Sequence, residues 1–294
     1  MSMEGILKFL PEEAAVAIKF FNEKDIEEIR IVAGCSCAVV VRGKLCDMGI
    51  TISTDQLSKI IFKMCRGSIY AMQPTLARGY LTLPGGHRVG VCGSVTAENG
   101  EVKHMGDICA VCIRIAREVK GVSDKLIKEI EVGGRLFNTL IISPPGSGKT
   151  TMLRDIARNL GNRHKVCIAD ERSEIAACSR GVITNDIGRY TCVLDSVPKG
   201  VGIEMLLRTM SPEVIITDET GSYEEEKAIC QVINCGVKII TSVHGYSEKD
   251  VSRRKYIGSL IENGIFEKII VLSSRFGPAT VEKIISDGRV VGRA

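Results

Sequence analysis

The sequence lacks tryptophan, and its only aromatic residues are seven phenylalanines and six tyrosines among 294 residues. Proteins that hold single-stranded nucleic acids stack the bases on aromatic side chains, so this scarcity argues against a base-stacking surface. Lys and Arg number 39 against 35 Asp and Glu, and a basic excess this weak does not predict a nucleic-acid partner. The one basic cluster, "SRRKY" at 252–256, is explained by a solvated helix face.

Long hydrophobic runs are also missing from the sequence. No run approaches the ~20 apolar residues that a helix needs to cross a bilayer. The first residues, "MSMEGILKFLPEEAAVAIKFF", mix acidic residues with apolar ones and lack the uninterrupted apolar core of an export signal. We therefore expect a cytoplasmic protein that does not insert directly into a membrane.

The twelve cysteines do not follow the spacing of a zinc-binding framework. Cys35 and Cys37 form C-x-C, Cys109 and Cys112 form C-x-x-C, and the other eight are scattered. The two pairs are far apart in sequence, although they could meet in space and bind a metal ion. The interpretation we favour is reduced cysteine that serves as a small core residue in a reducing cytosol.

The pattern of the chain changes near residue 121. Before it, segments are short and interrupted by glycine, and we predict a smaller N-terminal α+β domain over 1–121. Strands are indicated by "IEEIRIV" and "AVVVRG", an amphipathic helix by "TDQLSKIIFKMCRGSIYAM", and hairpins by "GYLTLPGGHRVGVCGSVTAENGEVKHM" with turns at "PGGH" and "ENGE". The segment "REVKGVSDKL" is the expected linker.

Residues 122–294 alternate between strands and helices, as in "RLFNTLIIS", "KTTMLRDIARNLG", "KVCIAD", "GIEMLLRTM", "EVIITDE", "YEEEKAICQVINCG" and "VKIITSVH". Strands without strict polar alternation, separated by helices, predict an α/β fold with a parallel sheet covered on both faces. In such sheets ligands bind at the carboxyl ends of the strands. Four polar segments fall at such ends, so we predict a single site from 143–150, 170–171, 218–219 and His244.

The segment "SPPGSGKT" at 143–150 matches the phosphate-binding loop G-x-x-x-x-G-K-[ST] except that Ser143 replaces the first glycine. A small residue can serve where the strand ends, so we interpret the segment as a true phosphate loop. Its backbone N–H groups and the following helix would surround the phosphates, with Lys149 on the β- and γ-phosphates and the Thr150 hydroxyl on Mg²⁺. The predicted nucleotide-binding residues are Pro145, Gly146, Ser147, Gly148, Lys149, Thr150 and Thr151.

Three acidic residues and a histidine complete the predicted site, which would bind a nucleotide and Mg²⁺. Asp218 would hold the magnesium through water, and Glu219 would orient or deprotonate the attacking water. Glu171 could polarise water or bind metal, and a neutral His244 could sense the γ-phosphate. The alternatives are ordinary acidic strand ends and a strand-end histidine with a structural partner.

Taken together, several segments resemble the stage III sporulation protein AA family of endospore-forming bacteria, which is related to the ATPases of type II and type IV secretion and of type IV pili. These segments are "LTLPGGHRVGV", "IRIAREVKG", "SPPGSGKTT", "DERSEIAAC", "VLDSVPK", "LLRTMSPEVIITDE" and "HG". The resemblance implies a P-loop NTPase core of the RecA/AAA type in 122–294. It also implies a Mg²⁺-dependent ATPase, with ATP and Mg²⁺ as ligands, that helps the mother cell to assemble or power a channel to the engulfed forespore.

The same resemblance implies a homo-oligomeric, hexameric ring in the mother-cell cytoplasm, held at the membrane peripherally by channel proteins. By motif, Glu219 matches the catalytic carboxylate of the family, Glu171 and Glu174 its acidic box, and His244 its histidine box. One position departs from the family, because Tyr190 rather than an arginine directly precedes "TCVLD".

Secretion-type ATPases bury nucleotide between domains or subunits, and an arginine supplied across that gap stabilises the phosphoryl-transfer transition state. The segment "VCIRIAREV" places Arg114 and Arg117 at the end of the first domain, where they could act in this way or be merely solvated. Two other functions stay open. One is a nucleotide-dependent nucleic-acid-binding protein of the RecA-like type, and the other is a nucleotide switch with little hydrolysis.

Overall fold

The computed structural model describes residues 3–116, 119–178, 181–286 and 289–293. Backbone contacts divide the chain into two compact units, the first of residues 1–117 with 177–184 and the second of residues 118–176 with 185–294. The division at residue 121 that we proposed from the sequence did not assign 177–184 to the first unit.

The first unit combines helices with an antiparallel sheet. Among the described residues the sheet has six strands in the order β3-β2-β1-β6-β5-β4, and every neighbouring pair is antiparallel. Its core is formed by aliphatic side chains such as Ile29, Leu57 and Val89. The elements are α1 (Met3–Leu7), α2 (Glu12–Ile18), β1 (Ile26–Val32), β2 (Ser36–Val41), β3 (Lys44–Thr51), α3 (Thr54–Met64), α4 (Gln73–Leu76), β4 (Tyr80–Leu83), β5 (His87–Glu98) and β6 (Glu101–Arg114).

Helix α3 starts where the sequence predicts and ends earlier than predicted. The Ser53 side chain accepts a hydrogen bond from the Gln56 N–H, and the Gln56 side chain accepts one from the Ser53 N–H, which is a capping box. The predicted helix ran to Met72, but α3 ends at Met64 because Arg66 and Gly67 have φ values of 52° and 82°. That left-handed backbone does not continue a right-handed helix.

The second unit is built around a larger sheet, in the order β11-β10-β12-β13-β9-β14-β15-β16 over the described residues. Six neighbouring strands of this sheet, in the spatial order β11-β10-β12-β13-β9-β14, are parallel. β15 and β16 are each antiparallel to the strand before them in this order, so the sheet is mixed and not parallel throughout. The elements are α5 (Asp124–Ile130), β7 (Glu131–Val132), β8 (Arg135–Leu136), β9 (Thr139–Ser143), α6 (Lys149–Leu160), β10 (Val166–Asp170), β11 (Thr191–Asp195), α7 (Lys199–Thr209), β12 (Val214–Thr217), α8 (Tyr223–Asn234), β13 (Lys238–His244), α9 (Glu248–Ser252), α10 (Lys255–Glu262), β14 (Lys268–Ser273), β15 (Thr280–Ser286) and β16 (Arg289–Arg293).

The central strands are buried on both faces, which explains their continuous apolar sequences. Every residue of β9, β10 and β12 is buried. Leu140 and Ile142 of β9 pack with residues of α7, α8 and α10, and the alternate residue Ile141 is equally buried. Because β12 pairs with β13 and β13 with β9, both in parallel, the carboxyl ends of these three strands lie at the same edge of the sheet.

Within the described ranges, no helix is both long enough and apolar enough to cross a bilayer.

Candidate functional site

The loop that follows β9 begins with a buried residue. Ser143 is the last residue of the strand, and its Oγ donates a hydrogen bond to the carbonyl oxygen of Pro144 at 3.0 Å. Its own carbonyl oxygen accepts a hydrogen bond from the N–H of Gly245 at 3.1 Å. The strand end thus accommodates a small hydroxyl side chain at the position where the loop pattern has glycine.

Two glycines shape the loop. Gly146 and Gly148 have φ values of 73° and 85°, a backbone conformation that favours glycine. At Gly148 the space is also closed, because a Cβ there would lie 2.5 Å from the backbone nitrogen of Ala279. The N–H of Ala279 in turn donates to the carbonyl oxygen of Ser147 at 2.8 Å. The loop is therefore held against the turn that joins β14 to β15.

Helix α6 starts at Lys149 without a side-chain cap, because its N-cap residue is Gly148. The first N–H groups of a helix have no acceptor within the helix, and the helix dipole makes this end positive. Such an end binds phosphate groups through backbone N–H groups. The loop and the uncapped start of α6 are therefore suited to bind a nucleotide phosphate. Around it, Pro145 is exposed, and Thr150 and Thr151 are half-buried.

The Glu219 carboxylate is the meeting point of the site. The Nζ of Lys149 and the Nε2 of His244 both lie 2.8 Å from its Oε1, and Arg172 Nη1 lies 3.3 Å from its Oε2. Burial on its own would raise the pKa of Glu219, but the Lys149 hydrogen bond and charge, followed by Arg172 and His244, lower it to about 2. Glu219 is therefore ionised, and the structure brings together three side chains from distant parts of the sequence.

The backbone around Glu219 is also fixed. Its φ of 38° is left-handed, which is rare for a residue with a side chain. Its N–H donates to the Oγ of Ser242 at 3.2 Å, and its carbonyl oxygen accepts a hydrogen bond from the Nζ of Lys199 at 2.7 Å. The next N–H, that of Thr220, donates to the Ser242 carbonyl oxygen at 2.8 Å. These bonds stabilise the unusual turn that directs the carboxylate.

Lys199 is a buried cation that the sequence reasoning missed. Its Nζ lies 3.3 Å from Glu225 Oε1 and 3.9 Å from both Asp218 Oδ1 and Glu171 Oε2. Lys199 is the first residue of α7, where the helix dipole disfavours positive charge. A lysine in the first turn of a helix, after a strand that ends in Asp195, is therefore the signal that could have found it.

Asp218 lies beside Glu219 and is almost completely buried. Burial raises its pKa, and the positive charges of Lys199 and Lys149 oppose that rise. Thr150 and Asp218 offer one hydroxyl and one carboxylate, a sparse set that suits Mg²⁺, since this ion takes most of its ligands from substrate phosphates and water. No group of three or more His, Cys, Asp or Glu side chains is arranged to hold a metal in the part of the chain that the structure describes.

Asp170 closes the loop that carries Glu171 and Arg172. Its carboxylate accepts hydrogen bonds from the backbone N–H groups of Glu174, Ile175 and Ala176 at 2.9 to 3.0 Å. Burial raises the pKa of Asp170 to about 7, and the N–H bonds oppose the rise. Asp170 therefore has a structural role, in which it stabilises this loop. Glu171, by contrast, is partly exposed beside Lys199.

His244 is the last residue of β13, and its backbone carbonyl oxygen is hydrogen-bonded by a residue that follows in the sequence. Arg254 donates a hydrogen bond to the His244 carbonyl oxygen at 2.5 Å and pairs with Asp250 at 3.1 Å. Arg254, one residue of the basic cluster at 252–256, therefore has hydrogen-bond and ion-pair partners within the second unit. The buried Nδ1 of His244 has no hydrogen-bond partner among the described residues.

The sequence also predicted two arginines as catalytic residues, Arg114 and Arg117. Arg114 is the last residue of β6 in the first unit, and it is exposed while Val111 and Ile113 are buried, as the strand alternation predicts. Arg117 lies outside the described residues. A part for either arginine in phosphoryl transfer remains a proposal.

Comparison with solved structures agrees with this architecture. The Legionella pneumophila ATPase DotB superposes with a TM-score of 0.60 at 18% identity, covering 89% of this chain and 76% of that one. The pilus retraction motor PilT with bound ADP superposes with a TM-score of 0.60 at 16% identity, covering 92% and 78%. These likenesses confirm the expected α/β fold with a RecA-like core.

Comparison with sequences gives the family. The chain is 38% identical to "Stage III sporulation protein AA" of Bacillus subtilis, over 99% of its own length and 98% of that protein. It is 32% identical to "Protein SEEDLING PLASTID DEVELOPMENT 1" of Arabidopsis thaliana over 52% of its length, which is 22% of that protein. The family model described as "Sporulation stage III, protein AA" matches residues 10–291, so the chain belongs to this family.

Proposed function

We propose that this protein is a Mg²⁺-dependent ATPase of the secretion type, which works as a motor or assembly factor for a channel between mother cell and forespore. The observation that carries the proposal is the pairing of Lys149 and His244 on one oxygen of Glu219. A phosphate loop, a carboxylate and a strand-end histidine in mutual contact have the parts that ATP hydrolysis requires.

In this proposal Lys149 exchanges one anionic partner for another. The α6 N–H groups and Lys149 bind the phosphates of ATP, so the γ-phosphate competes with Glu219 for the lysine ammonium. When Lys149 leaves Glu219, the hydrogen bond that most lowers the pKa of this carboxyl is lost. Glu219 then becomes a better base and takes the proton of the attacking water. Binding of the nucleotide and activation of the base are in this way coupled.

The remaining residues hold this arrangement. Thr150 and Asp218 would hold Mg²⁺, which neutralises phosphate charge when it is bound. His244 keeps its hydrogen bond to Glu219 after Lys149 has moved, so the carboxylate stays oriented. Arg172 provides a second cation at the opposite oxygen, 3.3 Å away.

The assembly is proposed by analogy. Solved neighbours of the fold are named as an ATPase and as a pilus retraction motor. By that analogy the chain forms a hexameric ring in the cytoplasm of the mother cell and binds channel proteins that hold it at the membrane. Arg114 or Arg117 then supplies positive charge to the nucleotide of the ring.

The test is the ATPase rate of the purified protein measured against protein concentration, with Lys149→Ala as the inactive control. A rate that rises more steeply than linearly supports an enzyme that works as a ring. Tight ATP binding without turnover would instead indicate a nucleotide switch. Strong, salt-dependent binding of DNA or RNA would indicate the nucleic-acid-binding alternative.

A further inference from the structure

A cavity of about 560 Å³ lies in the second unit. One wall is formed by the start of the unit, with Val122 and Leu126, and the other by β15, with Val281 and Ile284. Lys125 and Glu129 add one charge of each sign to the lining. The volume is within the range of about 300–1,000 Å³ that is typical of small-molecule sites.

The β15 wall is fastened to the phosphate loop. Ala279 lines the cavity, and its N–H donates to the carbonyl oxygen of Ser147 at 2.8 Å. The same nitrogen occupies the space where Gly148 would carry a Cβ. Only the width of Ala279 therefore separates the cavity from the loop that we assign to the phosphates.

The opposite wall is fastened to helix α6. Gly121 lines the cavity, and its N–H donates to Oδ1 of the buried Asp155 at 3.1 Å. Both the N–H and the Oγ of Ser123 donate to Oδ2 of Asp155 at 2.8 Å. Asp155 lies six residues after Lys149, which is about 9 Å along the helix axis. The cavity therefore flanks the first two turns of the helix that follows the phosphate loop.

A β-bulge shapes the β15 wall. Val281 pairs with Leu272, but Lys283 pairs with the adjacent Val271, so Glu282 is one extra residue in the strand. In a regular strand, residues 281 and 284 would point to opposite faces, since side chains alternate. The extra residue places Val281 and Ile284 on the same face, and both line the cavity.

We propose that this cavity receives the purine base and ribose of the nucleotide, an inference that rests on the ATPase function proposed above. Branched aliphatic side chains on two opposing walls suit the faces of a flat ring, which gains by leaving water. Lys125 and Glu129 provide a donor and an acceptor for the ribose hydroxyls and the polar edge of the base. The position beside Ser147 and Gly148 lets one ligand fill both the loop and the cavity.

The test compares ATP with inorganic tripolyphosphate, which has the phosphates but no nucleoside, by calorimetric titration of the full chain. Val281→Phe and Ile284→Phe fill the cavity, and Val291→Phe on the neighbouring strand is the matched control at an exposed site. We expect both cavity variants to bind ATP about tenfold or more weakly, an energy of about 1.4 kcal/mol, with unchanged tripolyphosphate affinity. The control should bind both ligands as the parent does.

A second measurement does not depend on filling the cavity. The chain contains no tryptophan, so Lys125→Trp at the exposed rim introduces a single tryptophan, which can be excited apart from the tyrosines. Its emission should change on addition of ATP and stay constant with tripolyphosphate. The inference is overturned if Lys149→Ala abolishes ATP binding while both cavity variants bind ATP normally, and the proposed function then stands. If the parent binds neither ATP nor tripolyphosphate, the proposed function and the inference both fail.

Discussion

Lys149 and Glu219 are seventy residues apart in the sequence, yet the lysine Nζ donates a hydrogen bond of 2.8 Å to the glutamate Oε1. The lysine is 6% exposed, so this ion pair is shielded from solvent on the lysine side. A buried cation without a partner is costly. The lysine therefore always needs an anion, either the carboxylate of Glu219 or a phosphate group.

Replacing Lys149 by Ala should abolish both ATP binding and hydrolysis, because the positive charge that meets the γ-phosphate is removed. Calorimetric titration with ATP measures the first effect, and phosphate release measures the second. Lys227→Ala, at an exposed position of α8, is the matched control and should behave as the parent. Equal ATP affinity in Lys149→Ala and the parent would refute the phosphate-loop assignment.

Glu219→Gln should leave ATP binding intact and lower the turnover number by about a hundredfold or more, the usual effect of losing one positioned acid–base group. Glutamine has nearly the same shape and can still accept a hydrogen bond from His244, so the loss reports on the base itself. Glu171→Gln is the comparison, and we expect a smaller effect. A larger loss in Glu171→Gln would exchange the parts of the two carboxylates.

The stability of the protein should depend on Glu219 in acid. Its pKa is lowered from 4.5 to about 2, so the folded state binds fewer protons than the unfolded state between these values. The stabilisation is therefore complete above pH 4.5 and is lost as the pH falls towards 2. Urea unfolding at a series of pH values from 6 to 3 should show a steeper acid loss in the parent than in Glu219→Gln. Glu224→Gln, which is exposed, should follow the parent.

Lys199→Met should destabilise the fold by about 3–5 kcal/mol, as expected when one partner is removed from a buried ion pair. The substitution keeps the apolar stem but leaves the carboxylates of Asp218 and Glu225 and the carbonyl oxygen of Glu219 without their cation. Urea unfolding measures the change, with Lys227→Met as the control. A loss below about 1 kcal/mol would show that Lys199 does not hold the site together.

Arg114→Ala or Arg117→Ala should lower ATP turnover at saturating nucleotide with little change in the free energy of unfolding. An arginine finger contributes about 10³ to 10⁵ in rate in other phosphoryl-transfer systems. Arg42→Ala is the control in the same unit. The isolated segment 122–294 should bind ATP and hydrolyse it poorly. Full activity of this segment at low concentration would exclude a catalytic part for the first unit.

The central part of the fold could be predicted because its signals are local. β9, β10, β12 and β13 are short strands rich in aliphatic residues, and α6 follows a glycine-rich loop, so strand, loop and helix are each visible in the sequence. β11 was missed because it is a short edge strand with only partly buried side chains. The antiparallel pairing of β15 with β14, and of β16 with β15, depends on contacts between strands, which sequence periodicity does not encode.

The site was predictable to a similar degree. Lys149, Glu219 and His244 all follow strands that end at one edge of a sheet, and this rule alone indicates that they meet. Lys199 and Arg172 belong to segments whose position depends on loop conformation. The loop that carries Arg172 is fixed by the buried Asp170 through three backbone N–H groups, a long-range arrangement that composition and spacing do not reveal.

Because Glu282 is an extra residue in β15, the number of residues in this strand matters as much as their identity. Deleting this single residue would restore regular alternation and turn Val281, together with everything before it in the strand, to the opposite face. It would also draw the turn that contains Ala279 along the strand by about 3.3 Å, one residue repeat, away from the carbonyl oxygen of Ser147. Relatives that bind the same ligand should therefore preserve the number of residues between Ala279 and Ile284.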